Sequence, residues 1–407
     1  MKPGIILITQ QYPFGRGEDF IATELKWYSD NRIPVLILPN KTSGTARSLP
    51  EGVGLLLPAR AKFRFYRSLL SPAAIWEWCS HPRMWLNSGM RRSFLFYLKT
   101  AAITEATLEA AARQEQLDSY QVLYTYWLSG MTEGAARFVR VHPDRKVISR
   151  VHGGDLYQAR IPGGYFPFRT SLLGRMDKVF PVSEDGKEYL AFRYPAHRQL
   201  FVVSRLGTDD WGFRTRPSGD GIIRIVSCSH LTEVKRIDLL IDSLKELSRM
   251  MPGRSMQWTH LGDGPVRGAL EAQASGALSG TGVSASWVGH LTAEAVQQFY
   301  ASHSIDVFLN VSDSEGMPVS IMEALCAGIP IVATPVGGVP EMLSGITDSL
   351  TPPKPKPPDV AGVLFRVLQK SGDQNFRDQY RKQWEEHFTA RFNYEQFYNS
   401  LASLFLP

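Results

Sequence analysis

Short apolar runs alternate with helical patterns in two successive series along the chain. In the first half the runs are rich in β-branched residues and occupy 5–8, 35–38, 122–126, 147–151 and 179–182. In the second half they occupy 222–226, 258–261, 285–288, 305–309 and 331–333. Helical patterns lie between several of them, for example at 20–29, 131–139, 237–250 and 293–301. Buried parallel strands have this near-continuous apolar character, so each series predicts a doubly wound α/β domain with a parallel sheet.

A polar, turn-rich segment between residues 207 and 221 separates the two series. The chain has 407 residues, which is too long for one hydrophobic core and suits two domains. We therefore expect an N-terminal Rossmann-like domain at 1–207 and a C-terminal one at 208–389. Ligands of such sheets bind beyond the carboxyl ends of the strands, so two domains that face each other would form a binding cleft.

The composition indicates the compartment. Apolar residues make up 43% and charged residues 21%, as in ordinary globular proteins. Three cysteines, Cys79, Cys228 and Cys326, lack the paired spacing of metal or redox sites, which favours a reducing compartment. The apolar run after Pro3 is too short for a signal peptide, and no window approaches the roughly 18 apolar residues of a transmembrane helix. We expect a cytoplasmic protein, with peripheral attachment to the inner face of the plasma membrane left open.

The net charge of +6 is spread unevenly. Between residues 60 and 99, eight basic residues accompany a single acid, Glu77, and large aromatic side chains are interleaved with them. Basic and aromatic residues together suit an interfacial element on anionic lipid. The alternative is that the aromatic residues form core and the arginines a solvated rim. Nucleic-acid binding is disfavoured, because no nucleic-acid motif accompanies the charge.

Residues 315–341 carry the most specific pattern in the chain. An apolar run ends before Glu315, Gly316 allows a tight turn, and Pro318 suits the first position of a helix. The helix would be followed by the strand at 331–333, which completes a βαβ unit. Free backbone N–H groups at the start of such a helix bind anions. Here those groups would belong to Gly316, Met317 and Val319.

Two carboxylates flank this predicted anion site. Glu315 lies at the mouth of the helix, and Glu323 lies about a turn and a half inside it. Because carboxylates repel an anion, hydroxyl groups are their better partners. Free N–H groups for phosphate, combined with carboxylates for hydroxyls, indicate a nucleotide sugar as the ligand.

Residues 315–341 also resemble, over the whole segment, the signature of the family 4 retaining glycosyltransferases of the GT-B fold. The match comprises Glu-Gly-Met-Pro, the Glu-x7-Glu pair of Glu315 and Glu323, Ala-Gly-Ile-Pro-Ile-Val-Ala-Thr and Gly-Gly-Val-Pro-Glu. The resemblance implies the GT-B architecture: two Rossmann-like domains facing a cleft, with a C-terminal helix at about 390–407 that crosses back to the N-terminal domain. It also implies catalysis without a metal or a cofactor.

The same resemblance assigns roles at other strand ends. In the His-Gly-x-Asp element it implies that His152 contacts the donor sugar near the reacting carbon and that Asp155 orients the acceptor. Taken alone, a single histidine is more often structural. Lys235 would face the donor pyrophosphate and stabilise charge on the leaving nucleotide. His230 stands where the family usually has arginine, so the second phosphate contact stays open, with Arg236 as a candidate substitute.

A glycine-containing turn and a strand end complete the predicted donor site. Gly262, Asp263 and Gly264 follow the apolar run at 258–261, and the glycines would admit the nucleotide close to the backbone. The resembled family uses the same turn in this place. The next strand ends at Val288, whose backbone is expected to meet the base.

In the N-terminal half, Gly15 and Gly17 follow the first strand and resemble the family's flexible glycine loop near the donor phosphates and the acceptor. The dinucleotide-binding fingerprint is absent, since Phe20 stands in place of its third glycine. A nicotinamide cofactor is therefore disfavoured. The chain contains no Asp-x-Asp, so a metal site is disfavoured as well.

Together these features predict a retaining glycosyltransferase that moves a sugar from a nucleoside diphosphate sugar, of the UDP or GDP type, to a saccharide hydroxyl. The candidate catalytic residues are His152, Glu315 and Lys235. The sequence of residues 315–324 is similar to that of bacterial enzymes of exopolysaccharide, capsule or lipopolysaccharide assembly. Such enzymes often use polyprenyl-linked saccharide acceptors. Two alternatives stay open, namely a nucleotide-sugar 2-epimerase and a non-catalytic partner subunit that binds a nucleotide sugar.

Overall fold

The computed structural model describes residues 3–15 and 17–405. The chain divides into two compact units: unit 1 comprises Met1–Arg205 with Tyr394–Pro407, and unit 2 comprises Leu206–Asn393. Each unit contains one sheet, and the paired strands of both sheets run parallel. The α/β class with two doubly wound parallel sheets is therefore confirmed.

The strands of unit 1 are β1 (Gly4–Thr9), β2 (Val35–Pro39), β3 (Val53–Leu55), β4 (Tyr120–Thr125), β5 (Lys146–Val151) and β6 (Lys178–Pro181). Their order in the sheet is β3-β2-β1-β4-β5-β6. The short edge strand β3 escaped prediction, because only three residues of it are paired. Strand β1 has β2 on one side and β4 on the other. The order reverses there, and such switch points are where open α/β sheets bind ligands.

The helices of unit 1 are α1 (Ile21–Asp30), α2 (Lys62–Leu69), α3 (Pro72–Ser80), α4 (Arg83–Leu86), α5 (Ser88–Ala112), α6 (Gly130–Val139), α7 (Gly153–Leu156), α8 (Arg169–Leu173) and α9 (Glu184–Arg193). Apolar side chains of α6, α8 and α9 pack with Ile6 and Ile8 of β1 in one buried cluster. Helices α2 to α5, between β3 and β4, build a smaller core of their own. It consists of Ala74, Met84, Met90, Phe94, Tyr97, Leu98, Tyr165 and Phe168.

The strands of unit 2 are β7 (Ile223–Cys228), β8 (Met256–Leu261), β9 (Val283–Gly289), β10 (Val307–Asn310) and β11 (Ile331–Ala333). They are ordered β11-β10-β7-β8-β9, so the switch point lies between β7 and β10. The helices are α10 (Ile237–Met250), α11 (Arg267–Ala277), α12 (Ala293–Ser302), α13 (Val319–Cys326), α14 (Val339–Met342), α15 (Pro357–Leu368) and α16 (Gln374–His387).

The last helix, α17 (Ala390–Ala402), returns the chain to unit 1 from Tyr394 onward. Its Phe397 ring packs 5.1 Å from the ring of Tyr124 on β4. The Tyr398 hydroxyl donates to the carbonyl of Pro3 at 3.2 Å. Within residues 3–15 and 17–405, no helix combines the length and apolar character needed to cross a membrane.

Candidate functional site

Lys235 and Glu315 form an ion pair at the switch point of unit 2. Nζ of Lys235 lies 2.6 Å from Oε1 of Glu315. Lys235 is in the connection after β7, and Glu315 is in the connection after β10, which pairs with β7. Asn310, the last residue of β10, donates from Nδ2 to the same oxygen at 3.4 Å. Glu315 is only 5% exposed, so removal of the lysine would leave a buried carboxylate poorly compensated.

The backbone at the start of α13 leaves N–H groups available. Pro318 is the N-cap residue in an extended conformation and the helix begins at Val319, so the prediction that Pro318 occupies the first helical position is wrong by one residue. In the part of the chain that the structure describes, the N–H groups of Gly316, Met317 and Val319 make no backbone hydrogen bond. The carbonyl of Gly316 accepts from the N–H of Gly338 at 2.8 Å, which ties the turn to the start of α14. The free N–H groups form the positive end of the helix dipole.

Glu323 lies near the same strand end. It is half-buried on α13, one turn after the helix begins. Burial raises the pKa of the Cys228 thiol at the end of β7, the charge of Glu323 raises it further, and the charge of Lys235 lowers it. Both charges act on one thiol, so Glu323 and Lys235 lie around the carboxyl end of β7. The ligand contacts that the sequence assigned to Glu323 and Lys235 stay predictions.

A buried hydrogen-bond relay, formed by Trp258, Ser227 and His260, supports the loop after β7. The sequence did not predict it. Nε1 of Trp258 donates to Oγ of Ser227 at 2.9 Å, and the Ser227 hydroxyl lies 2.8 Å from Nδ1 of His260. Nε2 of His260 lies 3.1 Å from the carbonyl oxygen of Ser229, which can only accept, so the ring proton is assigned to Nε2. Burial lowers the pKa of His260 to about 4. The ring is therefore neutral at neutral pH and holds the Ser229 carbonyl in place.

The turn at 262–264 packs directly on this loop. Gly262 has a φ of 147°, and a Cβ there would lie 1.9 Å from the carbonyl oxygen of Ser229. A Cβ on Gly264 would lie 2.2 Å from the carbonyl oxygen of Leu231. The carbonyl of Asp263 accepts from the N–H of Leu231 at 2.9 Å. These glycines are thus required by contact between two backbones, an explanation that differs from the ligand access expected from the sequence.

Val288 interrupts the pairing of β9. His260 pairs with Trp287 and Leu261 pairs with Gly289, so Val288 is the extra residue of a β-bulge. Strand β9 is an edge strand, and the Val288 side chain is exposed. Because a bulged residue is left out of the ladder, its backbone groups are suited to pairing with a ligand such as a nucleobase.

The two candidate partners of a second phosphate differ in their surroundings. His230 is exposed on the loop after β7. Arg236, in contrast, points its guanidinium at carboxylates, 3.0 Å from Asp313 and 3.4 Å from Asp238. These carboxylates already engage the Arg236 donors, so Arg236 is the weaker candidate for a second phosphate contact, and the contact of His230 stays a prediction.

In unit 1, His152 follows β5 and has an aromatic environment. Its ring stacks 5.0 Å from the Tyr126 ring and lies 4.6 Å from the Trp127 ring. Both ring nitrogens are buried and have no hydrogen-bond partner among the described residues. Burial, with a smaller contribution from the charge of Arg150, lowers the pKa of His152 well below its usual 6.5. The neutral ring keeps one donor and one acceptor unused, and such groups in a native protein require an explanation.

Asp155 ties two strand-end loops together. Oδ1 accepts from the N–H of His152 at 2.7 Å, and Oδ2 accepts from the N–H of Leu128 at 2.7 Å. Burial raises the pKa of Asp155 to about 6, while these hydrogen bonds and the nearby Arg169 act in the opposite direction. One carboxylate oxygen therefore holds the backbone of His152, and the other holds the backbone of Leu128. The predicted acceptor contact of Asp155 stays a prediction.

The loop after β1 is organised by Glu18, which the sequence did not single out. Its buried carboxylate accepts the N–H groups of Gln10, Gln11 and Tyr12 at 3.1, 2.8 and 2.8 Å. Nε1 of Trp127 donates to it at 2.6 Å. One carboxylate thus links the end of β1 to the aromatic group around His152.

The predicted glycine loop lies beside this carboxylate. Gly15 and Gly17 have φ values of 65° and 110°, which favour glycine. The residue between them lies outside the described residues. Both glycines therefore adopt backbone conformations that other residues rarely adopt, and their contact with phosphates or acceptor stays a prediction.

Arg150 lies fully buried one residue before the end of β5. Its Nε donates to the Tyr124 hydroxyl at 2.6 Å, and Nη1 donates to the carbonyl of Ser204 at 2.9 Å. Nη2 lies 3.5 Å from Glu24, and the guanidinium lies 4.4 Å from the centroid of the Phe397 ring. A single buried cation therefore connects the strand that bears the His152 loop with the last residues before unit 2 and with α17.

Across residues 3–15 and 17–405, no three histidine, cysteine, aspartate or glutamate side chains are grouped as metal ligands would be.

Comparisons with known proteins agree with this geometry. Residues 223–370 match the family described as glycosyl transferases group 1. The chain is 28% identical over 216 residues to the putative colanic acid biosynthesis glycosyltransferase WcaL of Escherichia coli K12, an alignment that covers 49% of each protein. The chain thus spans about half the length of that curated relative.

Solved structures share the fold over nearly the whole chain. The lipopolysaccharide outer core galactosyltransferase WaaB, in its apo form, has a TM-score of 0.68 at 15% identity and covers 98% of this chain and 99% of its own. Anabaena Alr3699/HepE in complex with UDP and glucose has a TM-score of 0.68 at 17% identity, with the same coverage. Residues 223–370 therefore match the glycosyl transferases group 1 family, and nearly the whole chain shares its fold with these two glycosyltransferase-type structures.

Proposed function

We propose that this protein is a retaining glycosyltransferase that moves a sugar from a nucleoside diphosphate sugar, of the UDP or GDP type, to a saccharide hydroxyl during assembly of a bacterial surface polysaccharide. The observation that carries the proposal is the Lys235–Glu315 pair at 2.6 Å, beside the free N–H groups at the start of α13. A relative named for colanic acid biosynthesis and a fold neighbour solved with UDP and glucose support it.

The donor phosphates would bind between Lys235 and the N–H groups of Gly316, Met317 and Val319. Their combined positive potential favours an anion and stabilises the charge that develops on the departing nucleoside diphosphate. When the phosphates arrive, Lys235 can contact them while it stays close to Glu315. His230, exposed on the neighbouring loop, would provide a further phosphate contact.

The hydroxyl groups of the donor would bind to the two carboxylates. Glu323, set back within α13, would accept hydrogen bonds from the ribose. Glu315, at the mouth of the helix and 5% exposed, would accept from the transferred sugar. The bulged backbone of Val288 would pair with the base. Burial of Glu315 strengthens its contact, because little water competes for this carboxylate.

In unit 1, the neutral ring of His152 would offer one unused ring nitrogen to a hydroxyl of the transferred sugar. Its partners Tyr126 and Trp127 fix the ring, and Asp155 fixes the backbone beside it. Gly15 and Gly17 would lie on the acceptor side. A neutral histidine avoids electrostatic repulsion with the positive charge that develops on the sugar during transfer.

The acceptor that we propose is a saccharide or a polyprenyl-linked saccharide. A polyprenyl chain resides in a membrane, so the proposal includes a protein on the cytoplasmic side with peripheral contact between residues 60–99 and anionic lipid. No nucleic acid, metal or cofactor is part of the proposal.

The test is incubation of the purified chain with isotope-labelled UDP-glucose, UDP-galactose, UDP-N-acetylglucosamine and GDP-mannose, with and without extracted polyprenyl-linked saccharides. We expect one nucleotide sugar to release its nucleoside diphosphate and to label the lipid-linked saccharide. Proton NMR of the product should show that the anomeric configuration of the donor is kept. An inverted product would contradict the retaining mechanism.

The same reaction mixtures separate the alternatives. A 2-epimerase would convert the nucleotide sugar to its epimer with no acceptor present. A non-catalytic partner subunit would bind the nucleoside diphosphate and turn nothing over with any donor and acceptor pair. Either result would replace the proposed transferase activity.

A further inference from the structure

We propose that the outer face of α2 to α5 docks on an anionic lipid bilayer, with one set of side chains inserting among the headgroups and another set binding lipid phosphate. The inference rests on the proposed function in one respect, since a lipid-linked acceptor gives the contact its purpose. The inference is drawn from which aromatic, basic and acidic side chains of this segment are buried and which are exposed.

Only part of the aromatic content of the segment is core. The Trp78 and Phe94 rings pack 5.6 Å apart, and Phe94 stacks 5.8 Å from Phe168, so these rings hold the helices together. A second group faces outward, and Phe63, Trp76 and Leu86 are 83%, 67% and 93% exposed. The other exposed members of this group are Tyr66, Leu70, Ile75, Trp85, Leu95 and Phe96. Proteins rarely expose so many large apolar side chains on one group of helices unless they bind there.

The basic residues of the segment also divide into two groups, one with partners inside the unit and one that is exposed. Arg64 is held by Glu109 at 2.6 Å, and Arg91 donates to the carbonyls of Met84 and Trp85, so both have internal roles. Six others are exposed, and among them Arg92 also donates to Ser88 at the long distances of 3.4 and 3.5 Å. The six are Arg60, Lys62, Arg67, Arg83, Arg92 and Lys99.

The single acid of the segment is removed from this surface. Glu77 is buried, where Oε1 accepts from the Tyr165 hydroxyl at 2.7 Å and from the N–H of Phe168 at 3.0 Å. No other aspartate or glutamate occurs between residues 52 and 104. Between residues 60 and 99, the exposed side chains of these helices therefore include apolar and positive groups and no negative one.

Exposed apolar and positive side chains together favour one binding partner, an anionic lipid bilayer. A second copy of the same face would bring six cations against six others, and like charges across an interface oppose association. An anionic bilayer offers phosphate to the cations and an apolar boundary to the aromatic rings, and indole rings such as Trp76 and Trp85 favour the headgroup level. The alternative, in which the aromatic residues form core and the arginines a solvated rim, does not explain why large apolar and basic side chains are both exposed on these helices.

The test is co-sedimentation of the full chain with vesicles of phosphatidylcholine alone or with 30% phosphatidylglycerol. We expect binding only to the phosphatidylglycerol vesicles and a loss of binding as NaCl rises from 0.05 to 0.5 M. The triple variant Arg67→Ser, Arg83→Ser, Arg92→Ser should bind these vesicles at least 10-fold more weakly. A matched variant, Arg140→Ser with Arg193→Ser, removes exposed cations elsewhere on unit 1 and should bind like wild type.

The inserting set has its own variants. Trp76→Ser with Leu86→Ser should weaken binding at low salt and abolish the blue shift of tryptophan fluorescence that insertion produces. Phe192→Ser is the control, because Phe192 is 88% exposed on α9, outside the proposed surface. Circular dichroism of each variant verifies that it is folded.

Three results would overturn the inference: wild type that fails to bind anionic vesicles, basic-set variants that bind as wild type does, or a concentration-dependent dimer without lipid that the Trp76→Ser, Leu86→Ser variant abolishes. Calorimetry with UDP and GDP in the absence of vesicles separates this inference from the proposed function. Nucleotide binding without vesicle binding would reject the docking surface alone. Vesicle binding without nucleotide binding would reject the proposed function alone.

Discussion

At the scale of single residues, Glu315 before α13 and Glu323 within it occupy different environments. Glu315 is buried against Lys235 at the entrance of the helix, and Glu323 is half-buried one turn further along. Removing one member of a buried ion pair leaves the other charge uncompensated. This costs more free energy than removing a half-exposed charge, whose partner can bind water instead. The two residues should therefore contribute to different steps.

The first prediction follows from this difference. Glu323→Gln should weaken binding of the nucleoside diphosphate by about 10-fold, because one charge-assisted hydrogen bond to the ribose is lost. Glu315→Gln should keep nucleotide affinity and lower turnover, because its hydroxyl partner belongs to the transferred sugar. Calorimetry with the nucleotide and steady-state kinetics with the nucleotide sugar measure the two effects. If both variants bind and turn over as wild type does, the assignment of the pair fails.

A second prediction concerns His230, which stands where the family usually has arginine. Arginine is always charged and donates two hydrogen bonds to a phosphate, whereas a neutral imidazole donates one. His230→Arg should therefore tighten binding of the nucleoside diphosphate, and it should slow turnover where product release limits the rate. The exposed His303 supplies the control variant His303→Arg. Unchanged affinity in His230→Arg would show that Lys235 serves the phosphates without this histidine.

The sequence pointed to residues that lie close together where a motif contains them, and their roles stay predictions. Glu315, Glu323 and Lys235 do lie around one strand end. It missed Glu18 and His260, because their partners are backbone groups or side chains of neighbouring strands, and such pairings depend on the register of the sheet. Ser227 and His260, for example, are opposite each other in β7 and β8, 33 positions apart in the chain.

At the scale of elements, buried polar groups hold the loops at the strand ends in place. The relay through His260 supports the loop after β7, and the carboxylate of Asp155 joins the loops after β4 and β5. The alternation of apolar runs and helical patterns predicted the strands well. It did not predict that the glycines at 262 and 264 are required by the loop that faces them.

The third prediction is a dependence of stability on pH that is caused by His260. Burial lowers its pKa from 6.5 to about 4, so between those values the unfolded chain binds a proton that the folded protein does not. The free energy of unfolding should therefore fall as pH drops from 6.5 to 4, by roughly 3 kcal/mol from this group. Above pH 6.5 the ring of His260 is neutral in both the folded and the unfolded chain, so it no longer makes the free energy of unfolding depend on pH.

The measurement is the urea midpoint of unfolding, followed by tryptophan fluorescence at pH 7, 6, 5 and 4.5. His260→Gln lowers the midpoint at all pH values, since the relay is broken, but its midpoint should vary less with pH than that of wild type. His303→Gln, at an exposed site, should keep the wild-type slope. Equal slopes for His260→Gln and wild type would contradict the buried neutral ring.

At the scale of the whole molecule, the two series of apolar runs predicted the two parallel sheets of five and six strands. Local periodicity was sufficient because buried parallel strands are apolar on both faces. The roles of α2 to α5 were left open by the sequence, since composition alone cannot separate inward from outward aromatic side chains. Only the packing of Trp78 and Phe94 against Phe168 makes that separation.

The fourth prediction concerns the source of the positive potential during transfer. If Lys235 and the N–H groups at the start of α13 stabilise the leaving nucleoside diphosphate, turnover should survive dialysis against about 5 mM EDTA. Lys235→Ala should instead lower turnover about 100-fold or more in either buffer. Loss of wild-type activity in EDTA, restored by Mn²⁺, would contradict this account.

The central claim is that unit 2 binds a nucleoside diphosphate through Lys235, the start of α13 and Glu323. Isothermal titration of the full chain with UDP, GDP and ADP tests it most directly. The account predicts that one of the first two nucleotides binds in EDTA-containing buffer, and that Lys235→Ala and Glu323→Gln each weaken it about 10-fold or more, while Arg249→Ala on the far turn of α10 does not. A folded wild-type chain that binds none of the three nucleotides, or binds them equally well without Lys235 and Glu323, would contradict it.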